Sequence, residues 1–357
     1  MVQRGYGTSK KVLSRAGTST FLCKRADFHR STEVLPFRDG RTIGPAAFGW
    51  HSPDMTRHPH TARKPLDECP AETPARPGIG LALGGGFARG FAHLGVLQVL
   101  EENKIPISHI AGTSVGSILG AAYASGAPLA RIIETCRALR FRDIARWRVS
   151  RLGLASNRRL EDLIERVFES RTFENLRIPL AVVATDLTTG EPVVFTQGNL
   201  VDAIRASCAF PGLFEPVEIG TRCLADGGLV APVPTRAARD LGATSVVGVS
   251  VGMQDGHRGA PTNIFQVVSR AVNAAQKHQL EIWERHADLV LRPDVQSLAW
   301  DDFHRADESI AAGAVAARRA LPRIEKLLKQ DGNNDGGFQA RIEAEDKGYL
   351  WLAEALR

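Results

Sequence analysis

Ser114 stands at the centre of Gly112-Thr113-Ser114-Val115-Gly116, a G-x-S-x-G pattern set between a short apolar run and a helix-forming stretch of small residues. That is the setting of a nucleophile elbow, in which a strained strand-to-helix turn exposes a serine hydroxyl. Upstream, Leu83-Gly84-Gly85-Gly86-Phe87-Ala88-Arg89-Gly90 also follows an apolar run and opens a helical stretch. Its successive glycines present main-chain N–H groups without side-chain obstruction, as a tetrahedral oxyanion requires. The pair points to acyl transfer, with Ser114 as nucleophile and the earlier loop as oxyanion hole. A nucleotide reading of that loop fails. Counted from Gly84, a dinucleotide fingerprint needs Gly or Ala where Arg89 stands, and the Gly-Lys of a Walker loop is absent.

A serine nucleophile needs a base. In the chain order Ser…Asp/Glu…His, the histidines after Asp226 are His257, His278, His286 and His304. His257 lies in a glycine-flanked loop that would suit a catalytic position, whereas His278 and His286 fall on a predicted helix and read as surface residues. None has a distinctive local signature. Asp226 follows a predicted strand and precedes Gly227-Gly228, which leaves a carboxylate exposed at a turn. An ordinary Asp-Gly hairpin turn has the same appearance, so the residues alone leave the base unassigned.

The elements that must position these groups alternate along the chain. Strands are expected at 78–83, 108–111, 179–186, 192–196, 217–219, 222–225, 245–251 and 288–292. Helices are expected at 91–100, 115–125, 129–139, 160–168, 200–206, 237–241, 264–285 and 307–329, the fourth capped by Ser156 or Asn157. Such alternation predicts an α/β fold with a mainly parallel sheet covered on both faces.

Charge divides the chain unevenly. Residues 1–77 carry 13 Lys/Arg against 7 Asp/Glu, whereas 78–357 carry 32 of each. The net charge of +6 therefore belongs to the leading segment, and no nucleic-acid partner is expected for the body. The leader has no helical or strand period and is expected to be a disordered basic segment, with Met55 as the natural start. Its seven acids disfavour a transit peptide. Residues 78–330 are expected to form the catalytic domain, and 331–357 a flexible linker with an amphipathic tail. Cys23, Cys69, Cys136, Cys208 and Cys223 are scattered without C-x-x-C spacing, which suits neither a disulfide framework nor a zinc site. With no apolar stretch long enough to span a bilayer, a cytoplasmic protein is expected, peripheral at the inner membrane face. No oligomeric state follows.

Taken together, Leu81 to Leu97, Gly112-Thr113-Ser114-Val115-Gly116-Ser117, Ala206-Ser207-Cys208-Ala209-Phe210-Pro211-Gly212 and Asp226-Gly227-Gly228 resemble the ordered motifs of the patatin-like phospholipases. The match is nearest to the bacterial branch related to neuropathy target esterase and covers roughly 78–325. The resemblance implies a three-layer α/β/α sandwich and a Ser-Asp dyad. In it Ser114 attacks the acyl carbon and Asp226 takes its proton, Gly112, Gly116, Gly227 and Gly228 shape the two turns, and no metal or cofactor is needed. The oxyanion hole falls on Gly84, Gly85, Gly86, Phe87 and Arg89. The implied substrate is a lipid or lysolipid ester. One departure stands out: with Arg89-Gly90 aligned, Phe87 occupies a family glycine position, where it would narrow the acyl entrance. Two rival readings are an α/β-hydrolase with a Ser-Asp-His triad and a non-catalytic lipid-binding or regulatory protein on the same fold.

The stretch from Arg131 to Arg159 holds nine arginines against Glu134 and Asp143, with Phe141 and Trp147 interleaved. It reads equally as a solvated surface or as a peripheral contact with an anionic membrane. Arg-to-Glu changes at Arg146 and Arg148 are expected to weaken vesicle binding in the second case.

Overall fold

The apolar runs that precede the two glycine turns, Ile79–Leu83 (β1) and Ile107–Thr113 (β2), pair as parallel neighbours at the centre of the sheet. The computed structural model describes residues 77–147, 150–252, 260–262 and 264–331, all within the unit Pro70–Arg357. The expected leader and Met55, the expected tail beyond 331, His257 and Arg148 lie outside the described residues.

In chain order β1 is followed by α1 (Ala92–Glu102), β2, α2 (Val115–Ala124), α3 (Leu129–Ala138), α4 (Phe141–Ile144), β3 (Arg146–Trp147), β4 (Ala155–Ser156) and α5 (Arg159–Val167). Then come β5 (Leu180–Asp186), β6 (Pro192–Phe195), α6 (Leu200–Ser207), β7 (Val217–Ile219), β8 (Arg222–Asp226), α7 (Thr235–Asp240) and β9 (Val246–Val249). The last elements are α8 (Ile264–His278), α9 (Leu280–Glu284), β10 (Leu289–Leu291) and α10 (Ala306–Asp331). The parallel part of the sheet runs β10-β9-β1-β2-β5, and β6, β7 and β8 extend it with antiparallel pairings.

Successive side chains of a strand point to opposite faces, and here both faces are covered. On β5, Leu180 and Val182 enter the larger core with residues of α1, α2, α3 and α10. Ala181 and Val183 enter a second core with Val233, Ala237 of α7 and Trp283 of α9. Double coverage explains why these strands read as continuous apolar runs rather than as an alternating pattern. The architecture is the expected three-layer α/β/α sandwich.

Local details differ from the sequence reading where tertiary contacts override local signals. The helix expected over 264–285 breaks at Gln279 into α8 and α9, and Trp283 turns into the second core. Neither Ser156 nor Asn157 caps α5: its N-cap is Arg158, and Asn157 donates its side-chain amide to the Arg205 carbonyl at 2.7 Å. The short α4 and the two-residue ladder of β3 with β4 carry no period that a sequence could display.

Candidate active site

The chain leaves β1 toward β2 and β5 on one side and returns to β9 and β10 on the other. The topological switch point, where open α/β sheets form their crevice, therefore lies between β1 and β9, with the C-terminal end of β2 next to that of β1. Gly84 follows β1 there, and Ser114 follows β2.

Asp226 reaches the same place by a different route. Val183 of β5 pairs with Thr113 of β2 and with Val194 of β6, and Ala184 pairs with Asp226 of β8 and with Val193 of β6. Because β6 takes one edge of β5, β2 and β8 must share the other. They approach end to end along it: β2 lies against Leu180–Val183 and the antiparallel β8 against Ala184–Asp186. The register thus brings the ends of the two strands, Ser114 and Asp226, together.

Ser114 has φ 52° and ψ −125°, a left-handed conformation that is costly for a side chain with a Cβ and is held only where the surroundings over-determine it. Those surroundings are visible. The Ser114 N–H donates to Ser207 Oγ at 2.8 Å, and that hydroxyl donates to the Val183 carbonyl at 2.6 Å. The Ser114 carbonyl accepts Ser117 Oγ at 2.6 Å and the Ser117 N–H at 2.8 Å. Ser207 lies in the Ala206-to-Gly212 motif, but a role for its hydroxyl is not readable from spacing.

Asp226 is buried, and burial pushes its carboxyl up from 3.8 to about 6. Hydrogen bonds from the Gly228 N–H, 2.7 Å from Oδ1, and from the Ser114 side chain act in the opposite direction. Its main chain is pinned as well: the N–H donates to the Ala209 carbonyl at 2.9 Å, and the carbonyl accepts Thr185 Oγ1 at 2.8 Å. A carboxylate fixed in this way, with a pKa near working pH, is suited to general-base chemistry.

In the glycine loop the structure separates donors from supports. Gly84 donates its N–H to the Val249 carbonyl at 3.0 Å, and Gly85 donates to the Pro232 carbonyl at 3.2 Å. Neither amide is left for an oxyanion, which corrects the assignment of both as donors. The amides of Gly86 and Phe87 make no hydrogen bond among the described residues, and they are the candidate donors. The loop lies against Ser114, since a Cβ built on Gly85 would sit 3.3 Å from that of Ser114. Arg89 sits in the 3-10 turn Phe87–Phe91, where its carbonyl accepts Ser309 Oγ of α10 at 2.8 Å.

Phe87 has φ 52°, so its backbone adopts a conformation that glycine takes freely and phenylalanine does not. Its ring is held edge-on against Phe210 and Trp300, with centroids 5.4 and 5.1 Å away.

Beside Ser114 lies a narrow apolar cavity of about 60 Å3, lined among others by Phe87, Phe91, Ile118, Leu163, Phe168 and Phe214. Cys208 also lines it, and burial together with the Asp226 charge pushes its thiol up, which keeps it protonated. Among the described residues, no histidine borders this cavity. His278 is exposed on α8, the His286 carbonyl accepts Arg239 Nε, and His304 is exposed beside Asp302. His93, which sequence reasoning left without a role, is buried with Nε2 2.8 Å from the Gly84 carbonyl. Burial lowers its pKa to about 4, so a neutral ring donates to Gly84 and steadies the loop.

Gly112 is the penultimate residue of β2, Gly228 supplies the amide that holds Asp226, and of these four glycines Gly116 and Gly227 mark the closest approaches. A Cβ on Gly116 would lie 2.1 Å from the Leu83 carbonyl oxygen, and one on Gly227 would lie 2.1 Å from that of Val183. Gly116→Ala and Gly227→Ala should each destabilise the fold by about 1–3 kcal/mol through overpacking against backbone. Denaturant titration checks this, and an unchanged midpoint would refute the close approach.

Residues 81–239 match the family model described as patatin-like phospholipase. The chain is 38% identical over 178 residues to an uncharacterized NTE family protein of Mycobacterium tuberculosis, covering 49% of each chain. A second NTE family protein of that organism is 29% identical over 278 residues, covering 70% of this chain and 48% of the relative. Patatin-like phospholipase domain-containing protein 6 of Mus musculus is 36% identical over 194 residues, covering 50% of this chain and 14% of the relative. The chain thus spans about half the length of the mycobacterial relatives it matches. Among solved structures, VipD from Legionella pneumophila aligns with a TM-score of 0.42 and 14% identity, covering 70% of this chain and 67% of that one.

Proposed function

Because the chain belongs to the patatin-like phospholipase family, on the branch related to neuropathy target esterase, we propose that it hydrolyses fatty-acyl esters of phospholipids or lysophospholipids. The reading is carried by the meeting of the strained Ser114 with a buried carboxyl whose pKa is raised to about 6.

In the first half-reaction Ser114 Oγ attacks the ester carbonyl carbon while its proton passes to Asp226. The carbonyl oxygen becomes an oxyanion facing the Gly86 and Phe87 amides. Collapse breaks the bond to the leaving alkoxide, which takes the proton from Asp226 and departs as the alcohol or lysolipid. In the second half-reaction Asp226 deprotonates a water that attacks the acyl-enzyme. The acyl chain leaves as a fatty acid and Ser114 recovers its proton. The N-terminus of α2 favours the negative charge that develops beside it. The apolar cavity suits acyl methylenes.

A fluorophosphonate ester should form a covalent adduct on Ser114, seen by intact mass and mapped by peptide sequencing. Failure of the wild-type protein to label would count against the hydrolase. His257→Ala separates dyad from triad, because a dyad keeps its activity without that ring.

A further inference from the structure

A row of aromatic rings runs from the molecular surface to the oxyanion loop. Trp147, at the end of β3, is 65% exposed, and its ring centroid is 5.9 Å from that of Phe141. Phe141 meets Trp300 edge-on at 5.8 Å, and Trp300 meets Phe87 edge-on at 5.1 Å. The Trp300 carbonyl also accepts the Ala88 N–H at 3.0 Å, so the same residue braces the loop by ring and by backbone. Phe87 in turn carries a candidate oxyanion amide and borders the cavity beside Ser114.

The outer end of this row has the character of a lipid-facing surface. Leu152 is 69% exposed, and exposed Arg142, Arg146, Arg151 and Arg158 surround the stretch. From 140 to 159 the only acid is Asp143, and it is occupied in accepting the Arg140 N–H at 2.8 Å at the start of α4. Asp202, Glu215 and Glu218 share a surface pocket with Leu152 and Arg158, yet among the described residues none of the four arginines forms an ion pair. Exposed apolar side chains rimmed by cations fit the boundary of an anionic bilayer, where indole and leucine enter the headgroup zone and guanidinium groups meet phosphates.

We infer that Trp147 and Leu152, with Arg146 and Arg151, dock the protein on an anionic lipid surface, and that the Trp147–Phe141–Trp300–Phe87 row couples docking to the oxyanion loop. This regulation rests on the proposed hydrolase reading, whereas the docking itself does not. Lipid contact orders the Trp147 ring, and the tilted and edge-on ring contacts carry that order to Phe87.

Flotation of the full chain with phosphatidylcholine vesicles, with and without phosphatidylglycerol, tests the docking. Trp147→Ala with Leu152→Ala should weaken vesicle binding about tenfold, and Arg146→Glu with Arg151→Glu should remove the preference for phosphatidylglycerol. The basic leader is common to all variants, so differences between them report on this surface. Phe141→Leu tests the coupling: it should bind vesicles like the wild type yet lose the gain in hydrolysis on vesicles relative to a monomeric short-chain ester. Equal vesicle binding by every variant, or binding to polyglutamate or RNA in place of vesicles, would overturn the docking. An unchanged vesicle-to-monomer rate ratio in Phe141→Leu would overturn the coupling. Loss of fluorophosphonate labelling in the wild type would instead strike the hydrolase reading and leave the binding result standing.

Discussion

Replacing Ser114 by Ala should lower kcat/KM by at least about 10^3-fold on any ester the protein hydrolyses, leaving only what the oxyanion amides and binding supply. The effect should come from chemistry rather than from folding. Alanine pays the same backbone cost at φ 52° as serine does, and the contacts that hold the turn are made by the main chain of residue 114, not its hydroxyl. Ser207 still accepts the amide, and Ser117 still reaches the carbonyl. The variant should therefore fold as the wild type does, with thermal unfolding shifted only by the loss of the Ser114 hydroxyl's hydrogen bond to Asp226. More than a tenth of the wild-type rate in a well-folded Ser114→Ala protein would remove Ser114 from the reaction.

Asp226→Asn should slow the reaction by about 10^2–10^4-fold, the range of a lost general base, and at the same time stabilise the fold. The sign follows from burial. A carboxyl with a pKa of about 6 in the native protein and about 3.9 unfolded holds its proton more tightly when folded. The contribution of Asp226 to stability is then highest below pH 4, falls as pH rises from about 4 to 6, and stays lowered above that. The full cost of keeping the buried carboxylate ionised is up to about 3 kcal/mol. Asparagine carries no charge and can still accept the Gly228 amide, so its melting temperature should exceed that of the wild type at pH 8 and match it near pH 4. Activity of the wild type runs the other way. The base works only when ionised, so kcat/KM should rise through a single ionisation near pH 6 and level off above it. A flat profile from pH 5 to 8, or an Asn variant less stable at pH 8, would contradict this account.

Much of the site was legible because tight approaches leave composition traces. Gly116 and Gly227 are glycine because a carbonyl oxygen stands where a Cβ would go, and Gly112-Thr113-Ser114-Val115-Gly116 and Asp226-Gly227-Gly228 display that need as patterns. The sheet was legible for a related reason: strands buried on both faces must be apolar throughout, so β1, β5 and β9 stand out. Other parts depend on tertiary placement and leave no local trace. Nothing near Asp226 says that β8 shares an edge with β2, so the residues alone could not choose between Asp226 and a distant histidine. Asn157 looked like a helix cap, yet its amide serves the Arg205 carbonyl across the fold. Gly84 and Gly85 looked like oxyanion donors, yet the neighbouring Val249 and Pro232 carbonyls hold their amides. The sequence marked Phe87 as a departure, and its backbone explains why glycine would be at home there.

Since β2 and β8 are both measured against β5, one short strand acts as the ruler for the reaction centre. Moving either strand by one residue along β5 would shift its end by about 3.4 Å and turn its side chains to the other face. Lengthening loops between α2 and β5, or between β5 and β7, leaves those pairings in place as long as Ser207 and Ala209 keep their contacts with Ser114 and Asp226. Those two stretches supply cavity-lining residues, including Leu163, Phe168 and Phe214. Insertion or deletion in those two stretches should therefore reshape the cavity beside Ser114 while leaving the Ser114–Asp226 register in place.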